Sequence, residues 1–280
     1  MESMKLVKQF SLFILMLGFI HPSFADDHSL GEFEDHRHDM PVTTEGANRS
    51  PMSEIVSTEI VYGETNDQPH KGYLAKPSSS QPKSALIVIH EWWGLNEDIH
   101  LMANQLAGLG YTALAVDLYD GQTATKPKDA YQLSTNLSNN EATALANLKT
   151  AYDYLKNEVG AGKIGIIGWC LGGKWSLRGA LMLPKDIDAA VIYYGSLIDD
   201  KERLATLEMP IIGFVGTKDR LHKQFIAFDE DLKALDKNAS IHFYDGARHA
   251  FANASGSAYE PVAAEDSWQK TVRFLAEHLD

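Results

Sequence analysis

The sequence predicts an α/β domain, a mostly parallel sheet with helices on both faces. Three observations carry this. Short, continuous apolar runs of strand length recur from Ala85 onward. Amphipathic stretches of helix length alternate with them, and glycine-rich turns separate the two.

Taken in order, the first 25 residues stand apart from the domain. Lys5 and Lys8 precede an apolar run from Phe10 to Ile20, followed by Pro22 and the small-residue pattern Ser23-Phe24-Ala25. The run is shorter than a membrane span needs, and its flanks are those of a cleaved signal, so export to a periplasm or out of the cell is expected, with cleavage after Ala25. Residues 26–52 hold seven acids and three histidines with few large apolar side chains. Such a composition buries too little surface to offset its ordering entropy, which predicts a flexible arm, with His36, His38 and Asp39 as solvated groups and no metal site. The folded domain is expected over 53–280.

Within it, Glu54–Tyr62 and Lys71–Lys76 read as a hairpin joined by the turn-rich Gly63–Pro69. Ala85–His90 is a strand buried on both faces. Glu97–Leu109 carries Ile99, Met102, Leu106 and Leu109 at helical spacing, and Gly110 ends it. Thr112–Leu118 is the next strand. Gly121–Asn140 is polar and irregular, with room for short helices above the carboxyl edge of the sheet. A helix around Ala142–Leu155 and a strand at Lys163–Trp169 follow. The alternation continues through Leu171–Leu183, Ala189–Tyr194, Pro210–Val215, Gln224–Leu235 and Ser240–Tyr244, and an amphipathic helix at Ala263–Leu279 closes it.

Charge excludes some partners. The net charge is −13, and it becomes −14 once Glu2, Lys5 and Lys8 leave with the signal, a balance that repels nucleic acid and anionic membrane surfaces. Cysteine usage is more pointed. The chain has one cysteine, Cys170, in Gly168-Trp169-Cys170-Leu171-Gly172-Gly173. A nucleophile on a sharp strand-to-helix turn needs small residues two positions to either side, and Gly168 and Gly172 supply them. The turn also sets the sulfur at a helix N-terminus, where the thiolate is favoured. A thiol needs a base: His249 follows the last strand, and Asp219 follows the strand at Pro210–Val215. Cys, Asp, His is the order of nucleophile, acid and base on an α/β-hydrolase sheet, and all three fall at carboxyl ends of strands.

From about residue 53 onward the chain resembles the dienelactone hydrolase family of cysteine α/β-hydrolases. The resemblance rests on His90-Glu91-Trp92-Trp93-Gly94-Leu95-Asn96, Asp117-Leu118-Tyr119, the Cys170 turn, Tyr193-Tyr194-Gly195, Asp219 and His249. It implies that Glu91 contacts the resting thiol and helps deprotonate it, and that the amides of Trp92 and Leu171 form an oxyanion hole. It further implies that Tyr131 and Tyr194 line the pocket, with Trp93 and Trp169 as apolar walls. Two arginines that hold a substrate carboxylate in dienelactone-cleaving members are replaced here by Pro127 and Asn253. Dienelactone is therefore not the expected substrate, although Lys126 or Lys128 could lend a positive charge. The expected activity is hydrolysis of a small carboxylic ester or lactone through a thioester, with no metal or organic cofactor. Two alternatives stay open: a thiol-redox or peroxide-handling role for Cys170, and a non-catalytic binding protein on the same fold.

Overall fold

The structure is a computed structural model that describes Val42, Thr44, residues 49–79 and residues 83–280. The expected signal peptide and most of the arm lie outside the described residues. The end of the arm rests on the domain: the Val42 amide donates to the Ser255 carbonyl at 2.9 Å, and Arg49 pairs with Glu265.

Eight strands form one sheet in the order β1-β2-β4-β3-β5-β6-β7-β8. They are β1 Ile55–Thr65, β2 Gln68–Pro77, β3 Ser84–Ile89, β4 Thr112–Val116, β5 Lys163–Trp169, β6 Ala189–Tyr193, β7 Ile211–Gly216 and β8 Ala239–Tyr244. β1 pairs antiparallel with β2, and β2 antiparallel with β4; the six from β3 to β8 are parallel.

Alternation along the central strands divides the core. In β3, Ala85, Ile87 and Ile89 face one layer, and Leu86 and Val88 face the other. The Leu86 side packs on α1 (Glu97–Gly108) and on the C-terminal helix Pro261–Leu279, through Ala103, Leu106 and Leu275. The Ile87 side packs on Leu148, Trp175 and Phe228. These belong to α3 (Glu141–Asp153), α4 (Leu171–Met182) and α6 (His222–Ala234). Both faces of the parallel sheet are thus sealed, which is why its strands read as unbroken apolar runs.

Three elements differ from expectation. The hairpin strands are longer than expected and meet at Asn66-Asp67, both with positive φ, the two-residue turn whose twist suits a hairpin. Gly63 lies in β1, where the register shifts between Val61 and Gly63, so it marks a bulge and not the turn. The polar stretch 121–140 contains a single regular helix, α2 (Pro127–Asn139). Pro127, a loop signal in sequence, occupies the first turn of that helix, where a missing N–H costs nothing. A five-residue helix, α5 (Lys201–Ala205), was not expected. The Asp200 carboxylate caps it by accepting from the amides of Glu202 and Arg203. The C-terminal helix Pro261–Leu279 is α7.

Candidate active site

The loops that leave β3, β5, β7 and β8 at their carboxyl ends converge on one place. At the end of β5 the chain turns sharply into α4, and Cys170 takes φ +54° and ψ −115° at the turn. Crowding explains the glycines around it. A Cβ on Gly168 would sit 2.3 Å from the Gly172 carbonyl, and one on Gly172 would sit 2.3 Å from the Ile89 carbonyl oxygen. With only hydrogens there, the turn presses against the end of β3, and the Cys170 amide donates to the Tyr193 carbonyl at 3.0 Å.

The backbone around the site is under strain elsewhere as well. Among the described residues, the non-glycine residues with left-handed φ include Asn66, Asp67, Asp120 and Asp236, types for which this is ordinary. The other three are Cys170, Tyr194 and Ala250, and all three lie at this site. Strained backbone of that kind persists where surrounding packing over-determines it.

The loops after β7 and β8 are laced together. The Thr217 amide donates to the Tyr244 carbonyl and the Lys218 amide to that of Ala247, which sets Asp219 beside His249. The His249 Nδ1–H donates to Asp219 Oδ2 at 2.8 Å, and the other Asp219 oxygen accepts from the Leu221 amide at 2.8 Å. The Cys170 thiol lies close enough to the imidazole for its charge to act on the ring. Electrostatics follows from this sandwich. Burial alone would lower the His249 pKa, yet the charges of Asp219 and Cys170 and the Asp219 hydrogen bond hold it well above the ordinary histidine value. Burial would raise Asp219, but the charge and hydrogen bond of His249, with the Leu221 amide and the Arg220 charge, together outweigh it and leave the carboxyl below its usual range. The trio favours a charged imidazolium between two anions.

Glu91 follows β3 and is buried on the wall of the same cavity as Cys170. Its carboxylate accepts from the Tyr194 hydroxyl at 3.4 Å and from the Asn253 side-chain amide. His90, buried beside it, accepts from the Leu118 amide at Nε2 (3.1 Å). Its proton is therefore on Nδ1, which donates to the Glu91 carbonyl at 2.6 Å; burial holds this imidazole neutral. The Tyr194 ring leans edge-on against His249 at 5.1 Å between centroids. Its phenol is raised well above the usual tyrosine value, by burial first and then by the negative charges of Glu91 and Cys170.

Cys170, Glu91 and Trp92 open onto a cavity of about 230 Å³. Leu171 is the first residue of α4, so its amide has no acceptor within the helix. Of the four residues expected to line the pocket, only Trp93 does so. Tyr194 is fully buried behind Glu91. Trp169 faces two shallower recesses beside the cavity. Tyr131, on α2, packs half-buried against the core, because the regular helix turns it inward. Lys126 and Lys128 are exposed and away from the wall. The sequence reading missed Asn253 as the partner of Glu91, and missed the pair formed on the wall by Ser255 and Asp98. The Ser255 hydroxyl donates to Asp98 at 2.5 Å. The only sequence signal for Asn253 was that it stands where the resemblance expects an arginine.

Fold and site together define an α/β hydrolase. The dienelactone hydrolase family model matches residues 70–279, and the chain belongs to that family. Protein usf of Aquifex pyrophilus is 33% identical over 234 residues, covering 79% of this chain and 99% of its own. A candidate carboxymethylenebutenolidase of Aquifex aeolicus is 30% identical over 240 residues, covering 79% of this chain and 99% of its own. Among solved structures, a candidate dienelactone hydrolase from Klebsiella pneumoniae superposes with a TM-score of 0.72 at 26% identity. That superposition covers 81% of this chain and 100% of the other.

Proposed function

We propose that this protein hydrolyses a small carboxylic ester or lactone with Cys170 as nucleophile, His249 as proton carrier and Asp219 as the group that orients and charges His249. Membership of the dienelactone hydrolase family supports the reaction class. The observation that carries the residue assignment is the position of His249, hydrogen-bonded to Asp219 and within electrostatic reach of the Cys170 thiol, with the sulfur on a left-handed turn.

In the proposed sequence the Cys170 thiolate attacks the acyl carbonyl, and the negative charge moves to oxygen. The amides of Trp92 and Leu171 receive that oxyanion; one such donor is typically worth about 100- to 1,000-fold in rate. The C–O bond breaks as His249 gives its proton to the leaving alkoxide, which leaves a thioester on Cys170. His249, now neutral, takes a proton from water, and the hydroxide carbon bond formed at the thioester expels the thiolate with the carboxylic acid product. Glu91, on the same cavity wall, is the second acceptor for the thiol proton. Every atom and charge is accounted for without a cofactor. Export, suggested by the first 25 residues, is part of the same proposal.

The test uses residues 26–280 beside Cys170→Ala and His249→Ala. Hydrolysis of p-nitrophenyl acetate is followed, and a quenched sample is weighed for an acyl adduct on Cys170. Turnover lost in both variants, with the adduct seen in the parent, is the expected result. Turnover that survives Cys170→Ala overturns the assignment, and a peroxide-reactive thiol without ester turnover points to redox chemistry instead.

A further inference from the structure

The cavity at Cys170 has a charge asymmetry that the reaction itself does not require. Among the described residues on its wall are two carboxylates, Glu91 and Asp98, and no lysine, arginine or histidine. Its amide and hydroxyl side chains are neutral: Asn96, Asn253, Thr123, Thr125, Ser255 and Ser257. The cations near it are the His249 imidazolium, already paired with Asp219, and two exposed side chains off its wall. Arg248 is exposed, donating to the Ser257 backbone carbonyl at 3.2 Å, and Lys126 is in solvent. Both work against a high dielectric, whereas Glu91 is buried.

We infer that this cavity rejects substrates whose acyl group is anionic and accepts those that are neutral or positively charged, with Asp98 as a specificity-determining residue. The inference rests on the hydrolase reading and narrows its substrate class. An anionic acyl group would enter as a further negative charge beside Glu91 and Asp98, and the one cation at the reacting sulfur, the His249 imidazolium, is already paired with Asp219. A unit charge about 8 Å from one carboxylate, at an effective dielectric near 20, is disfavoured by about thirtyfold. A cationic group would instead meet Asp98 and the faces of Trp92 and Trp93, which line the same wall. Asp98 acts through its charge and not its hydrogen bond. Asparagine at 98 keeps a carbonyl oxygen for the Ser255 hydroxyl and removes only the charge.

The experiment compares p-nitrophenyl butyrate, mono-p-nitrophenyl succinate and p-nitrophenyl 4-(trimethylammonio)butyrate on the parent and on Asp98→Asn. The expected kcat/KM for the succinate is about 100-fold below that for the butyrate, with the cationic ester at or above the butyrate. Asp98→Asn is expected to narrow the neutral-to-anionic ratio about tenfold, less than the roughly thirtyfold of a buried carboxylate because Asp98 is only half-buried and partly screened. Alkylation of Cys170 by iodoacetamide and by iodoacetate, each normalised to free cysteine, reads the same preference without ester turnover. Esters cleaved with no discrimination against the succinate, or a ratio indifferent to Asp98→Asn, overturn the inference and leave the hydrolase reading intact. Absent ester turnover, with alkylation that still disfavours iodoacetate and relaxes in Asp98→Asn, keeps the charge selection and removes the hydrolase reading.

Discussion

Changing Asp219 to asparagine removes one charge from the middle of the site while leaving its shape nearly intact. The 2.8 Å contact between Asp219 and His249 is shielded on both sides, the carboxylate being fully enclosed and the imidazole nearly so. With charge centres about 4 Å apart and an effective dielectric near 20, the attraction is about 4 kcal/mol, or about three pH units on His249. Screening and relaxation make one to three units the expected shift. The thiol feels this at one remove: a weaker imidazolium favours the Cys170 thiolate less, so the pH at which the thiol becomes reactive rises. The assay is the rate of iodoacetamide labelling against pH for the parent and Asp219→Asn. The variant's midpoint should rise by at least about one unit, with both proteins labelling alike near pH 9.5. On the proposed mechanism ester turnover should fall by about 1,000- to 10,000-fold, as when the orienting acid of a triad becomes an amide. Labelling profiles that superimpose would show that Asp219 does not charge His249, and the reasoning would fail. Stability carries the same signature. The raised His249 pKa stabilises the fold below the ordinary histidine value and is lost as pH rises through the raised one. The depressed Asp219 pKa stabilises above the ordinary carboxylate value and is lost as pH falls. The cost of Asp219→Asn should therefore be largest between those limits and shrink in acid.

Other substitutions test other parts. Gly172→Ala places a Cβ 2.3 Å from the Ile89 carbonyl oxygen, and backbone cannot step aside; a cost of about 3 kcal/mol should lower Tm by about 5–10 °C. An unchanged Tm in a thermal melt would refute the crowding argument. Asn253→Asp sets a second carboxylate against Glu91, so one carboxyl of the pair is pushed up on folding. Its destabilisation, about 2 kcal/mol at neutral pH, should have largely faded by about pH 4, where the raised carboxyl is protonated and the single proton shared by the pair relieves the repulsion; denaturant titrations at the two pH values decide it. The amino-terminal reading is checked by the intact mass of exported protein, which should begin at Asp26.

Much of the architecture was legible because its causes are local. Strands such as Ala85–Ile89 are sealed on both faces, and their unbroken apolar character records that. The Cys170 turn was legible because Gly168 and Gly172 flank the cysteine within one short motif, although the contact that requires Gly172, with the Ile89 carbonyl, is remote in sequence. The order Cys170, Asp219, His249 gave the relative placement because parallel strands present their carboxyl ends on one edge. What escaped depended on pairs far apart in sequence. Asn253 meets Glu91 across 162 positions, and Asp98 meets Ser255 across 157; no periodicity links either pair. Tyr131 was placed on the pocket by resemblance alone, and its packing against the core depends on 127–139 forming one helix. The hairpin was shortened because Gly63 serves a bulge, which in sequence looks the same as a turn.

The elbow cysteine is the only sulfhydryl in the 280 residues, and it opens onto the cavity. Any thiol-directed reporter, such as a trifluoromethyl tag read by fluorine NMR, therefore attaches at one known position, and no cysteine-free background has to be made. Its signal would come from beside Glu91 and Trp92, so loading of the cavity could be followed for molecules that are never turned over. The residue that makes the protein vulnerable to oxidation also makes it self-reporting.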